Sequence, residues 1–250
     1  MKKGAIQLDK EVIRPKPIKK SVSFKQDFNG SFANQTKHQN SESAIIVPKI
    51  KNPVIIIPIQ NLLIIWALFY YGITSDVEGI MVKSFFTILP IHAIYNYILA
   101  TNIVKKSKND NNPLLVMSSI LISILLSVPL FFVIILMGAP VYKYSFKTFT
   151  LSLHLSQLIF NPLLILYSLN LNQFKKLFEE DHVYYTIFSH PVLSQVLMAL
   201  AGCWLGVIPI PLDWDRPWQQ WPITLLIGGY IGGLFGNLIS LVVDFIYRKN

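Results

Sequence analysis

The chain has 250 residues, 52% of them apolar and only 14% charged, with a mean hydropathy of +0.47 and a formal charge of +9. Soluble globular chains carry about a quarter charged residues, so this composition excludes a water-soluble domain over most of the length and points to a bilayer as solvent. The single cysteine, Cys203, excludes an intrachain disulfide or a cysteine-based metal site.

Residues 1–52 hold 11 of the 22 Lys and Arg but 4 of the 13 Asp and Glu. They are rich in Lys, Ser, Asn and Gln and poor in large apolar side chains. Such a segment cannot bury enough surface to offset its ordering entropy, so a disordered tail is expected. A basic tail suits nucleic acid, and it suits a cytosolic surface of anionic lipid equally well. The apolar body that follows favours lipid, and no nucleic-acid partner is expected. The stretch MKKGAIQLDKEVIRPK has no apolar h-region, so the run near residue 53 should act as an uncleaved insertion signal. Two N-x-[ST] sites, at Asn29 and Asn34, would be used only in a glycosylating lumen.

Residues 53–250 contain six apolar segments, each long enough for a hydrocarbon core that takes about 20 helical residues. They cover residues 54–71, 80–104, 114–137, 148–169, 192–208 and 223–247. Gly138-Ala139-Pro140 closes the third, Asn161-Pro162 interrupts the fourth, and His190-Pro191 opens the fifth, where Pro suits a first helical turn. The expected fold is all-α: a polytopic membrane protein with a bundle of about six transmembrane helices behind a disordered N-terminal tail. Six spans put both termini on one side. The basic tail, Arg248-Lys249 and the lysines of loops 105–112 and 170–190 assign that side to the cytosol. Within 170–190, Leu171, Phe174, Leu177 and Phe178 share a helical face, as in a short helix lying on the membrane surface.

The sixth segment carries Gly228, Gly232, Gly236 and Ser240 at four-residue spacing, and the fifth carries Gly202 and Gly206. Such a stripe admits another helix backbone at close range, which lipid-embedded helices need because no hydrophobic drive brings them together. Packing of the fifth segment on the sixth comes first, and docking of a different protein second. Ser119, Ser123 and Ser127 form a weaker stripe in the third. Between the last two spans, Asp213, Trp214, Asp215, Arg216, Pro217 and Trp218 crowd one short loop. Trp settles at the headgroup level and charge leaves the hydrocarbon, so this loop should lie at the luminal surface. Its carboxylates could share a divalent cation, form a structural ion pair with Arg216, or leave Arg216 to a lipid headgroup. The ion pair is the expectation. His92, Asn96, His154, Gln157 and Asn161 lie at membrane depth, where polar groups are functional candidates. No nucleophile elbow, phosphate loop, HExxH or paired-cysteine pattern is present, so no catalytic residue, metal or cofactor is expected.

With those residues in view, the chain resembles the PIG-F family of glycosylphosphatidylinositol (GPI) anchor biosynthesis proteins. The likeness is densest in His190-Pro191, Gly202-x-Trp204-x-Gly206 and the run Pro209-Ile210-Pro211-Leu212-Asp213-Trp214-Asp215-Arg216-Pro217-Trp218-Gln219, and it covers roughly residues 55–245. The resemblance implies a multi-pass protein of the endoplasmic reticulum membrane. It implies a non-catalytic role, stabilising a large phosphoethanolamine transferase that adds ethanolamine phosphate to mannose of the anchor precursor. Gly202, Gly206, Gly228, Gly232, Gly236 and the 213–218 loop would then contact that partner, membrane lipid or the GPI precursor. The alternatives are a lipid-modifying enzyme using Asp213 and Asp215, or a lipid transporter lined by His92, Asn96 and His154.

Overall fold

The computed structural model describes residues 47–104, 111–170, 177 and 183–249. Residues 1–46 of the expected tail, with its two N-x-[ST] sites, lie outside these residues, as does the surface helix expected in 170–190, of which Leu177 is described and buried. Among the described residues there are seven α-helices: α1 (Gln60–Tyr70), α2 (Val77–Asn102), α3 (Asn112–Leu136), α4 (Ser145–Leu166), α5 (Val183–Ser189), α6 (Pro191–Leu205) and α7 (Ile223–Lys249). Single 3-10 turns occupy Pro53–Ile56 and Pro217–Gln219. The chain is an all-α, multi-pass membrane protein.

Local chemistry sets the boundaries. Asp76 caps α2 by accepting from the Gly79 amide at 3.0 Å, one of the donors that a helix start leaves open. Proline stands in the first turn of α3 and of α6, where its missing N–H costs nothing. Gly138 ends the third span with φ of +105°, a conformation that favours glycine.

Five helical segments are long and apolar enough to cross a membrane: Pro53–Tyr70, Val77–Asn102, Asn112–Leu136, Ser145–Leu166 and Ile223–Ile246. The expected straight fifth span over 192–208 is corrected. At 15 residues, α6 reaches about 22 Å, and it becomes span-like only together with α5, from which it turns by 96° at His190-Pro191. The physical reason is Pro191, whose ring bars the preceding residue from helical geometry. The expected interruption of the fourth segment is also corrected, because α4 continues through Pro162. Residues 47–52, read from sequence as tail, pair with the end of α2: the Lys51 amide donates to the Asn102 carbonyl and the Val104 amide to the Lys49 carbonyl, both at 2.8 Å.

Helix α4 forms the centre, with side chains buried on almost all sides against α2, α3, α6 and α7. One apolar layer gathers Leu68, Met81, Leu151, Leu155, Leu226 and Tyr230; the other gathers Leu99, Val116, Ile165, Val192 and Leu193. A polar layer separates them. On α1, α2, α4 and α6 it comprises Asn61, His92, Tyr95, Asn96, Gln157, Asn161 and Gln195, all buried. These groups have no bulk water at membrane depth, so each bond closed between helices acts as a tie. The Asn61 amide donates to the Tyr230 carbonyl at 3.0 Å, and the Tyr95 hydroxyl donates to the Gln195 amide oxygen at 2.9 Å. Ser119 donates to the Asn161 amide oxygen at 2.8 Å, whose NH2 donates on to Gln157 at 2.9 Å. The serine stripe of α3 is therefore an inward-facing seam, with Ser119, Ser123 and Ser127 all buried.

Asn161→Leu breaks this chain and strands the Gln157 acceptor. An orphaned buried acceptor costs about 1–3 kcal/mol, so the thermal midpoint of the purified protein in detergent should fall; an unchanged midpoint would show the seam to be energetically idle.

Candidate functional site

Helices α6 and α7 lie antiparallel, backbone against backbone. A Cβ added to Gly202 would fall on the Gly228 carbonyl oxygen, and one added to Gly228 would fall on that of Gly202. Down the pair the pattern repeats: Gly206 faces the Thr224 carbonyl, Gly232 that of Met198, and Gly236 that of Ser194. In glycine a hydrogen occupies that direction, so each Cα–H group points at a carbonyl across the interface. Such contacts contribute about 0.5–1 kcal/mol each. At the far end the Ser194 hydroxyl donates to the Gly236 carbonyl at 2.7 Å. All five glycines singled out from sequence are thus brought together, and they serve packing within the chain.

Four of them, Gly202, Gly206, Gly228 and Gly232, floor a groove of about 540 Å³ on the outer side of the hairpin. Its walls are Met198, Leu205, Trp218, Ile231 and Phe235, with Phe69 from α1. Thr224 is the one polar residue among those lining it. Leu205, Ile231 and Phe235 are exposed, so this apolar trough is open along the hydrocarbon-facing side.

The loop joining the two helices is fixed by Gln219, a residue the sequence reading passed over. Its side chain, 8% exposed, accepts from the Arg216 amide at 2.7 Å and donates to the Pro209 and Leu212 carbonyls at 2.8 and 3.0 Å. Two further bonds tie the loop to its neighbours: the Trp221 indole donates to the Thr148 hydroxyl at 3.0 Å, and Gln220 donates to the Thr74 carbonyl at 3.4 Å. Asp215 adopts φ of +45° and Trp221-Pro222 is cis. Asp213, Trp214, Asp215, Arg216 and Pro217 all project into the surroundings, while Trp218 is half-buried at the mouth of the groove, 5.9 Å from the Trp214 ring. The expected Asp–Arg ion pair is corrected: among the described residues neither carboxylate pairs with Arg216. Exposed charges gain little from pairing, and the Gln219 amide already holds the turn.

The carboxylates gather no third ligand; among the described residues no group of three His, Cys, Asp or Glu is placed to hold a metal. His92, Asn96 and His154 are not strung along a passage. His154 contacts the Met81 carbonyl at 3.0 Å and the Tyr230 hydroxyl at 3.3 Å. His92 and Asn96 border a cavity of about 10 Å³, far below the roughly 300 Å³ at which ligand pockets begin. Trp66, Tyr70, Tyr71, Tyr142 and Trp214 stand exposed at the loop end of the bundle, the arrangement of an aromatic girdle.

The family model for "GPI biosynthesis protein family Pig-F" matches residues 56–241. The chain is 52% identical to "Glycosylphosphatidylinositol anchor biosynthesis protein 11" of Candida albicans, across 92% of this chain and 97% of that one. It is 27% identical to the protein of the same name in Saccharomyces cerevisiae, across 91% and 96%. A human protein named "GPI ethanolamine phosphate transferase, stabilizing subunit" is 34% identical across 47% of this chain and 53% of its own. No solved structure matches.

Gly232→Ala forces a methyl onto the Met198 carbonyl and should destabilise the protein by about 1–3 kcal/mol, the usual cost of overpacking. Gly233→Ala, whose tightest contact is the Asn61 amide at 3.3 Å with Gln195 and Leu158 at ordinary van der Waals distance, should cost less; equal thermal midpoints for the two variants would contradict the register. Gln219→Leu should speed hydrogen exchange at the Arg216 amide, and an unchanged rate would mean the loop is held by something else.

Proposed function

This chain belongs to the Pig-F family of GPI biosynthesis proteins, and from that membership we propose that it is the non-catalytic subunit that stabilises a GPI ethanolamine-phosphate transferase. The observation that carries the reading is the hairpin. It puts a rigid, backbone-locked pair of helices beside an open apolar groove, and the Asp213, Asp215 and Arg216 side chains form no ion pair with one another. A surface of this kind offers shape and exposed apolar area to another membrane helix while supplying no reactive constellation. In this reading α6 and α7 take up a transmembrane helix of the catalytic subunit. Asp213, Trp214, Asp215 and Arg216 meet its luminal side, or the headgroups and GPI precursor presented there. Residues 53–250 form the membrane domain, residues 47–52 join it through their pairing with the end of α2, and the stretch before them is the basic tail.

The site of action is the endoplasmic reticulum membrane with both termini in the cytosol. Support comes from the sequence, where Lys and Arg concentrate in 1–52, 105–112, 170–190 and 248–249 and outweigh Lys143 and Lys147 on the other side, and from the exposed tryptophan loop at the girdle end. Reading the carboxylate pair as a lipid-modifying centre, or the midplane histidines as a lipid path, finds no such support in the exposed, unclustered aspartates or the sealed polar layer.

Two experiments test the proposal. Full-length tagged protein, extracted gently from its own membranes, should bring down an ethanolamine-phosphate transferase. The double variant Ile231→Ala, Phe235→Ala should lower that recovery while the chain's own thermal midpoint stays near wild type, because both side chains are exposed in the free chain. Wild-type protein that recovers no transferase would remove the function; full recovery with the double variant would remove the groove from it. In the same membranes Asn29 and Asn34 should carry no glycan, and glycosylation at either would place the tail in the lumen.

A further inference from the structure

The polar layer contains groups that the helices do not satisfy. Asn96, 1% exposed, has neither carboxamide atom hydrogen-bonded; the Nε2 of His92 and the Oδ1 of Asn61, 4% and 1% exposed, also find no partner among the described residues. All three side chains line one small cavity, together with Gln60, Tyr95, Gln157 and Gln195. Leu158 and Pro162 line it as well. That pair matters, because Pro162 has no N–H and cannot bond the Leu158 carbonyl four residues before it. A backbone acceptor freed by proline inside a membrane helix is ordinarily satisfied again by a neighbouring side chain or an ordered water.

We propose that this cavity, bordered by Asn61, His92, Asn96 and the Leu158–Pro162 step, is a binding site for a single water molecule at the centre of the bundle. Its volume of about 10 Å³ is at the lower edge of the roughly 10–15 Å³ that one water needs. The chemistry also fits. A water donates two hydrogen bonds, and Asn61 Oδ1 and Asn96 Oδ1 are two acceptors without a partner there. It accepts from an N–H, and the Asn96 amide and His92 Nε2 supply donors. No carboxylate, lysine or arginine lines the cavity, so the ligand is neutral. The site joins α1, α2 and α4 at the level where Gln195 of α6 enters the network through Tyr95. The water therefore acts as a fixed component of the frame that carries the α6–α7 hairpin, and this holds whatever partner the hairpin takes.

X-ray radiolysis of the full-length wild-type protein in lipid nanodiscs tests this, because a bound water is converted to hydroxyl radical beside the side chains it touches. His92 and His154 are matched reporters: both are histidines, both buried, and only His92 borders the cavity. His92 should oxidise several-fold faster than His154. In Asn96→Leu, which replaces polar cavity wall with a methyl-bearing side chain, the His92 rate should drop to that of His154. Equal rates in the wild-type protein would overturn the proposal, whether or not the variant folds. So would fast His92 oxidation that persists in Asn96→Leu.

Discussion

The structure depends on the contact between two helix backbones. Where Gly202 meets Gly228 and Gly232, no side chain intervenes, so α6 and α7 approach until Cα–H groups face carbonyls. In lipid this is one of few ways to gain attraction between helices, because burying apolar surface against protein offers little that acyl chains do not. It also fixes register. A slide by one residue would bring the Cβ of a neighbour such as Ala201, Leu205 or Ile231 onto a carbonyl that tolerates only hydrogen.

The polar layer plays the complementary part. The hairpin supplies closeness between α6 and α7, and directional bonds attach that pair to the rest. Asn61 reaches the Tyr230 carbonyl of α7, Tyr95 reaches Gln195 of α6, and the Trp221 indole reaches Thr148 of α4. Each crosses between helices distant in sequence, and few competing partners exist inside a membrane. The result is a rigid platform with an apolar groove left open, which is what a subunit that holds another protein in place requires. Rigidity limits the entropy lost on docking, and the glycine floor lets a visiting helix come close.

Much of this was legible in the amino-acid sequence. Apolar runs located the long helices, and the four-residue glycine period named both partners of the hairpin. The same period continues back from Gly206 and Gly202 through Met198 to Ser194, which donates to Gly236; reading it one step further would have found that end of the interface. Other features were hidden because they depend on tertiary neighbours. Nothing in the run Asp213–Gln219 distinguishes a charge-clamped turn from an amide-clamped one, and Gln219 prevails because its side chain folds inward onto three backbone groups. Pro162 looked like a break, yet α4 passes through it. The bend at His190-Pro191 was visible as a helix start, but its 96° angle is set by where α5 and α6 pack.

The most direct measurement places a photoreactive residue at Phe235 or Leu205 in the groove, and at Leu125 on the exposed outer side of α3, then irradiates intact membranes. A platform that works through its glycine-floored groove yields cross-links to the ethanolamine-phosphate transferase from Phe235 and Leu205, and to lipid alone from Leu125. Cross-links to the transferase from Leu125, with none from either groove position, would contradict it.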